Sequence, residues 1–112
     1  MSDFAFEMLR HQRLVVLLVL LRSPSRQASV GVLRISLQTV GFHPSHATMV
    51  TMLDWLHENG FVVKKTLEHL GQSIQVAHLT QQGADIANGS AEHDGIRRPD
   101  LFAVPQTVED VH

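Results

Sequence analysis

A chain of 112 residues with 44% hydrophobic residues and a formal net charge of −2 has room for one domain with a modest core. It contains no cysteine, which excludes disulfides, thiolate metal sites and cysteine nucleophiles. The longest apolar run, Leu14–Leu21, falls well short of the about 20 residues a membrane span needs. It also lacks the basic leader of a secretory signal, since Asp3 and Glu7 precede it. A cytoplasmic protein with no membrane partner is expected.

Charge divides unevenly along the chain. Residues 1–65 carry seven Lys/Arg against four Asp/Glu, whereas residues 66–112 carry two against seven. The first part can face a polyanion; the acidic remainder is better kept away from phosphate.

Residues 3–22 read as a helix that Ser2 or Asp3 can cap, with Glu7 complementing its positive end and Arg22 near its negative end. Its second half is apolar on every side, so it must be covered on every side. A small domain is expected to cover about half of that circumference, which assigns Leu14, Leu17, Leu18 and Leu21 to a homodimer interface. Ser23-Pro24-Ser25-Arg26 is a loop. Val30, Leu33, Leu37 and Val40 then recur at helical spacing within Gln27–Val40, which Gly41 closes.

Pro44, favoured at the first position of a helix, opens residues 44–59. Met49, Met52, Leu53 and Leu56 form the apolar face of this helix, and Gly60 stops it. Two helices joined by a short Gly-containing turn make a helix-turn-helix candidate. Phe61–Leu67 and Ser73–Leu79 are rich in β-formers or alternate polar with apolar, and the intervening Glu68–Gln72 reads as the turn of a β-hairpin. Thr80 can cap a short helix, Gln81–Asn88, which Gly89 ends. The expected boundaries are a domain over residues 1–89 and a polar tail over 90–112, anchored if anywhere by Leu101-Phe102-Ala103-Val104.

Helix, helix, helix, hairpin, short helix is the order of a winged helix-turn-helix, an α+β fold that is mainly helical. One stretch sharpens this. Leu53-Asp54-Trp55-Leu56-His57-Glu58-Asn59-Gly60-Phe61-Val62 resembles the end of the recognition helix and the start of the wing in bacterial repressors of the MarR and ArsR types. Leu79-Thr80-Gln81-Gln82-Gly83 resembles the signature that opens the helix after their wing. The resemblance covers residues 5–89, and the chain is also similar to a small winged-helix protein of Mu-like prophages.

The resemblance implies a transcriptional regulator whose third helix enters the major groove of double-stranded DNA. Ser45, His46, Thr48 and Thr51 would then meet bases or phosphates, with Lys64 and Lys65 on the wing and Arg26 and Arg34 on the second-helix side clamping the backbone. The departure from the family is that residues 43–59 contain no Lys or Arg, the residues that supply most affinity for DNA. The alternative is a protein-interaction module. Trp55 lies between Leu53 and Leu56 and points away from their face, which suits a protein contact if it is exposed; packing beneath the wing is the other reading.

No metal or other cofactor is expected. His43 and His46 are spaced to lie near one another, but a metal would need a third ligand such as His11, His57 or Glu58. No Ser-His-Asp set, carboxylate pair or Gly-rich phosphate loop points to an enzyme.

Overall fold

Helix α1 spans Asp3–Arg22, and the rest of the protein is built around its second half. The structure, a computed structural model, describes residues 3–99. After α1 a single 3₁₀ turn, Pro24–Arg26, leads into strand β1 (Gln27–Ser29) and helix α2 (Val30–Thr39). Helix α3 is His46–Glu58, strands β2 and β3 are Val62–His69 and Gln72–Leu79, and helix α4 is Gln81–Ala87.

Two helices start later than the sequence expectation. Gln27-Ala28-Ser29 opens no helix; it is a strand paired antiparallel with β3, Gln27 opposite His78 and Ser29 opposite Val76. Ser29 then caps α2, its hydroxyl accepting from the Val32 N–H at 3.2 Å, so the helix can begin only after it. Pro44 likewise stands outside α3. Ser45 is the cap, its Oγ accepting from the Thr48 N–H at 3.1 Å, and Pro44 is buried one residue before it.

The sheet order is β1-β3-β2, with β2 and β3 antiparallel from Val62 opposite Leu79 to His69 opposite Gln72. His69, expected in the turn, ends β2. The turn itself is Leu70-Gly71, both in the left-handed region (φ 52° and 77°), as a two-residue hairpin turn matching strand twist requires.

Leu14, Val16, Leu17 and Leu20 of α1 meet Leu33 and Leu37 of α2 and Met49, Met52, Leu53 and Leu56 of α3 in one buried cluster, closed by Val62, Ala77 and Leu79 of the sheet and Ala84 and Ile86 of α4. This overturns the assignment of Leu14 and Leu17 to a dimer interface: both are fully buried within the chain, and Leu18 and Leu21 are half-buried against the same core. The expectation underestimated the cover. Helices α2 and α4, strand β3 and the chain after α4 all lie against α1.

That last segment begins where the domain was expected to end. Beyond residue 89 the chain returns to α1, with Gly95 and Ile96 buried and the Arg97 N–H donating to the Arg10 carbonyl at 3.3 Å. The Leu101–Val104 patch lies outside the described residues. No helix among the described residues is long and apolar enough to cross a membrane.

Candidate nucleic-acid interface

The exit from α3 into the wing explains the glycines of the motif. Gly60 follows the Asn59 cap at φ 82°, a left-handed conformation that lets the Phe61 N–H return to the Leu56 carbonyl at 2.9 Å. Across the wing base, the Thr80 hydroxyl donates to the Gly60 carbonyl at 2.7 Å and accepts from the Gly83 N–H at 3.0 Å. A Cβ on Gly83 would collide with the Phe61 carbonyl oxygen, so glycine is what allows α4 to lie against the start of β2. The two halves of the motif thus form one joint, which fixes the wing relative to α3.

With Met49, Met52, Leu53 and Leu56 buried, the opposite face of α3 presents Ser45, His46, Thr48 and Thr51, all exposed. They are not equivalent. The Ser45 hydroxyl caps the helix and donates to Thr48 Oγ1 at 3.0 Å, so these two hydroxyls are engaged with each other. His46 lines an open groove of about 550 Å³ between the start of α2 and the wing, together with Val30, Gly31, Thr66, Ile74 and Gln75.

The expected backbone-binding cations fall into two groups. Lys65 and Arg26 are exposed, Arg26 in the left-handed region (φ 54°) at the end of the 3₁₀ turn. Lys64 and Arg34 have structural partners. Lys64 Nζ forms an ion pair with Asp54 of α3, and Arg34 Nε donates to the Pro44 carbonyl at 2.8 Å, bracing the α2–α3 connection. Opposing charge is close by, since Glu68 near the wing tip accepts from Ser73 Oγ at 2.7 Å and Glu58 ends α3.

Trp55 is not an exposed hot spot. The Arg13 guanidinium lies 3.8 Å from its ring centre, His93 meets it edge-on at 5.3 Å, and its ring edge faces Gly95. Phe61 at the wing base is 6.4 Å away. Arg13 is only 8% exposed; its Nη1 donates to the Gly95 carbonyl at 3.0 Å, and burial pulls its pKa downward from the usual arginine value. The segment after α4 covers the tryptophan, an arrangement that a motif ending at Gly83 gives no hint of.

Large exposed apolar side chains occur instead on α2, where Val32 and Ile35 face outward, and on the wing at Val63, Leu67 and Leu70. His43 and His46 are exposed, and among the described residues no three His, Cys, Asp or Glu side chains are grouped to hold a metal ion.

This geometry has counterparts in known proteins. No protein-family profile matches the chain. Gp26 of Escherichia phage Mu, an uncharacterised protein, is 31% identical to it over 93 residues, 83% of this chain and 93% of its own length. A proposed transcriptional regulator from Thermoplasma acidophilum matches it with a TM-score of 0.65 at 18% identity, over 97% of this chain and 92% of that one. A MarR-family transcriptional regulator from Streptomyces coelicolor, solved in complex with DNA, matches with a TM-score of 0.58 at 20% identity, over 99% of this chain and 72% of that one. The fold is that of the winged-helix regulators.

Proposed function

The chain belongs to the same family as gp26 of Escherichia phage Mu, and from that premise we propose that it is a DNA-binding transcriptional regulator of phage or prophage origin. The observation that carries this reading is the polar, exposed first half of α3, held beside the wing by the Gly60–Thr80–Gly83 joint. The MarR-family protein of the same fold, solved with DNA, supports it. In the proposed complex His46 and Thr51 read the major groove, while the Ser45–Thr48 pair presents the start of α3 to a phosphate. Lys65 and Arg26 contact the backbone.

Binding by one copy is weak in this reading. Two exposed cations and a few hydroxyls give a small salt dependence, because each neutralised phosphate contributes a slope of about 0.9 in log affinity against log salt. A homodimer would double that number, and it would form without Leu14 and Leu17, which the core occupies.

Titration of the full-length protein with random duplex DNA at low and moderate salt, with its mass in solution recorded, tests the proposal. Salt-sensitive binding by a dimer is the expected result. Absence of binding at low salt would overturn it and favour the second reading, a protein-binding winged helix. The Lys64–Asp54 pair favours that alternative, since it removes a wing cation from the surface DNA would meet. Its contact face would be the exposed apolar side chains of α2 rather than Trp55.

A further inference from the structure

In the order β1-β3-β2, strand β2 stands at the edge of the sheet, and among the described residues no strand pairs with its other side. From Val62 to His69 it runs in unbroken register with β3, without a bulge or a proline. The Thr80 N–H donates to the Phe61 carbonyl at 3.1 Å, which fixes the parity of the ladder. Val63, Lys65 and Leu67 turn their backbone groups towards β3, and Lys64, Thr66 and Glu68 turn theirs outwards. At Val62 the outward carbonyl is taken up by the His57 ring, whose Nδ1 lies 3.2 Å away. Beyond it, a row of N–H and C=O groups from Lys64 to Glu68 is presented to another strand.

Edge strands commonly carry lysines that repel such pairing, and β2 has Lys64 and Lys65. Its side chains are nevertheless complementary to a second copy of themselves. Antiparallel pairing about a two-fold axis at Thr66 matches the outward groups of Lys64, Thr66 and Glu68 with those of the partner's Glu68, Thr66 and Lys64. On the face turned to α3, where Lys64 meets Asp54, each Lys64 then stands opposite the partner's Glu68. Two unlike pairs replace a clash of like charges. On the outer face, Leu67 stands opposite the aliphatic stem of the partner's Lys65 and diagonal to the partner's Val63 and Leu67. Leu67 is 47% exposed and Val63 40% exposed in the single chain, so pairing covers apolar surface as well as backbone.

We infer that β2 is a homodimer interface, joining two copies edge to edge into one continuous antiparallel sheet of order β1-β3-β2-β2-β3-β1. A second copy is the occupant because the outward pattern Lys64, Thr66, Glu68 is self-complementary about its centre: the register that matches the backbone groups also matches the charges. Opposite residues share a face, so the axis stands normal to the sheet and both third helices lie on one side of it. The copies join without the buried leucines of α1, and the pairing does not depend on the proposed DNA binding.

Sedimentation of the full-length protein over a wide range of concentrations, without DNA, should show a monomer–dimer equilibrium. Thr66→Pro removes an outward N–H, which an edge strand tolerates, so its circular dichroism should match wild type while the dimer is lost. Glu68→Lys and Lys64→Glu each set like charges opposite one another at both ends of the paired strands, and each variant alone should be monomeric. Mixed together, the two should recover a heterodimer, because every opposed pair is again unlike. A wild-type protein that stays monomeric throughout would overturn the proposal. A dimer untouched by Thr66→Pro would also overturn it and move the interface to another face. Failure of the mixture to recover a dimer would overturn the register and with it the self-pairing, and this result stands even if Thr66→Pro does not fold.

Discussion

Lys64 of the wing and Asp54 of the third helix form an ion pair across the surface proposed to meet DNA. Both side chains are partly exposed, so the pair contributes about 0–1 kcal/mol to stability. Its larger effect is on the proposed function, because it neutralises a wing cation. Asp54→Asn should therefore leave the melting temperature nearly unchanged while raising duplex DNA affinity severalfold. It should also steepen the salt dependence by about 0.9, the value for one further phosphate contact. Titrations at several salt concentrations measure both, and an unchanged slope would show that Lys64 faces no phosphate.

Gly83 should tolerate no side chain. A Cβ there would strike the Phe61 carbonyl oxygen and come within 2.7 Å of Leu79 Cδ1, and a backbone oxygen cannot move aside as a flexible side chain can. Gly83→Ala should cost about 1–3 kcal/mol, the range for overpacking a tight contact. Gly31→Ala is the matched comparison, since an added Cβ there meets only Ser29 Oγ, at 3.9 Å. Thermal melts of the two variants decide this, and equal melting temperatures would remove the joint from the account of the wing.

These two sites mark what the sequence makes legible. Leu53, Leu56, Gly60, Thr80 and Gly83 act through neighbours close in sequence or through one hairpin, so their spacing carries the fold. Strand β1 was hidden because Gln27-Ala28-Ser29 has no apolar alternation, and its strand character comes from pairing with β3 about fifty residues later. The cover of α1 was hidden for the same reason: Arg13 meets Gly95 across 82 residues, and neither residue type announces the contact. Within the candidate interface the residue types were legible, but which cations are already paired was not. Lys64 and Lys65 are adjacent in sequence, and only the strand's alternation of faces separates the one that meets Asp54 from the one left exposed.

Arg13 should hold the segment after α4 onto the domain. It stacks on Trp55 and donates to the Gly95 carbonyl, so Arg13→Ala removes a cation–π contact and a buried charge-assisted hydrogen bond together. The expected cost is about 2–4 kcal/mol. Arg13→Lys should recover only part of it, because the planar guanidinium is what stacks. Trp55 is the only tryptophan, so its emission reports the change directly, shifting to the red in Arg13→Ala as the segment loosens. An unshifted spectrum would mean that the segment is held without Arg13.

His11 gives the protein a pH-dependent term. Its ring meets Phe42 edge-on at 5.2 Å, and burial, helped by the nearby charge of Arg97, holds its pKa below the ordinary value of 6.5. As pH falls through about 6.5 the unfolded chain takes up this proton first, so it binds more protons than the folded chain in that window. The stability associated with neutral His11 is thus fully present above about pH 6.5 and is lost as pH falls towards the folded-state pKa. Between about pH 7.5 and about pH 5 the wild-type melting temperature should fall further than that of His11→Gln. Parallel curves would assign the acid loss to other groups.

Ser45 and Thr51 separate holding the third helix from reading with it. Both are exposed on the same face, but Ser45 caps α3 through the Thr48 N–H, so Ser45→Ala should cost about 1 kcal/mol of stability whatever it touches. Thr48 is tied to Ser45 through its own hydroxyl, which makes it an ambiguous probe as well. Thr51 lies outside that arrangement. Thr51→Ala should leave the stability within about 0.5 kcal/mol of wild type. It should also reduce discrimination at one base pair by about 1 kcal/mol, roughly fivefold. Competition between a selected site and its single-base variants measures the second effect. If Thr51→Ala keeps full selectivity while Ser45→Ala lowers affinity for every duplex alike, α3 positions the protein on the backbone and the bases are read elsewhere.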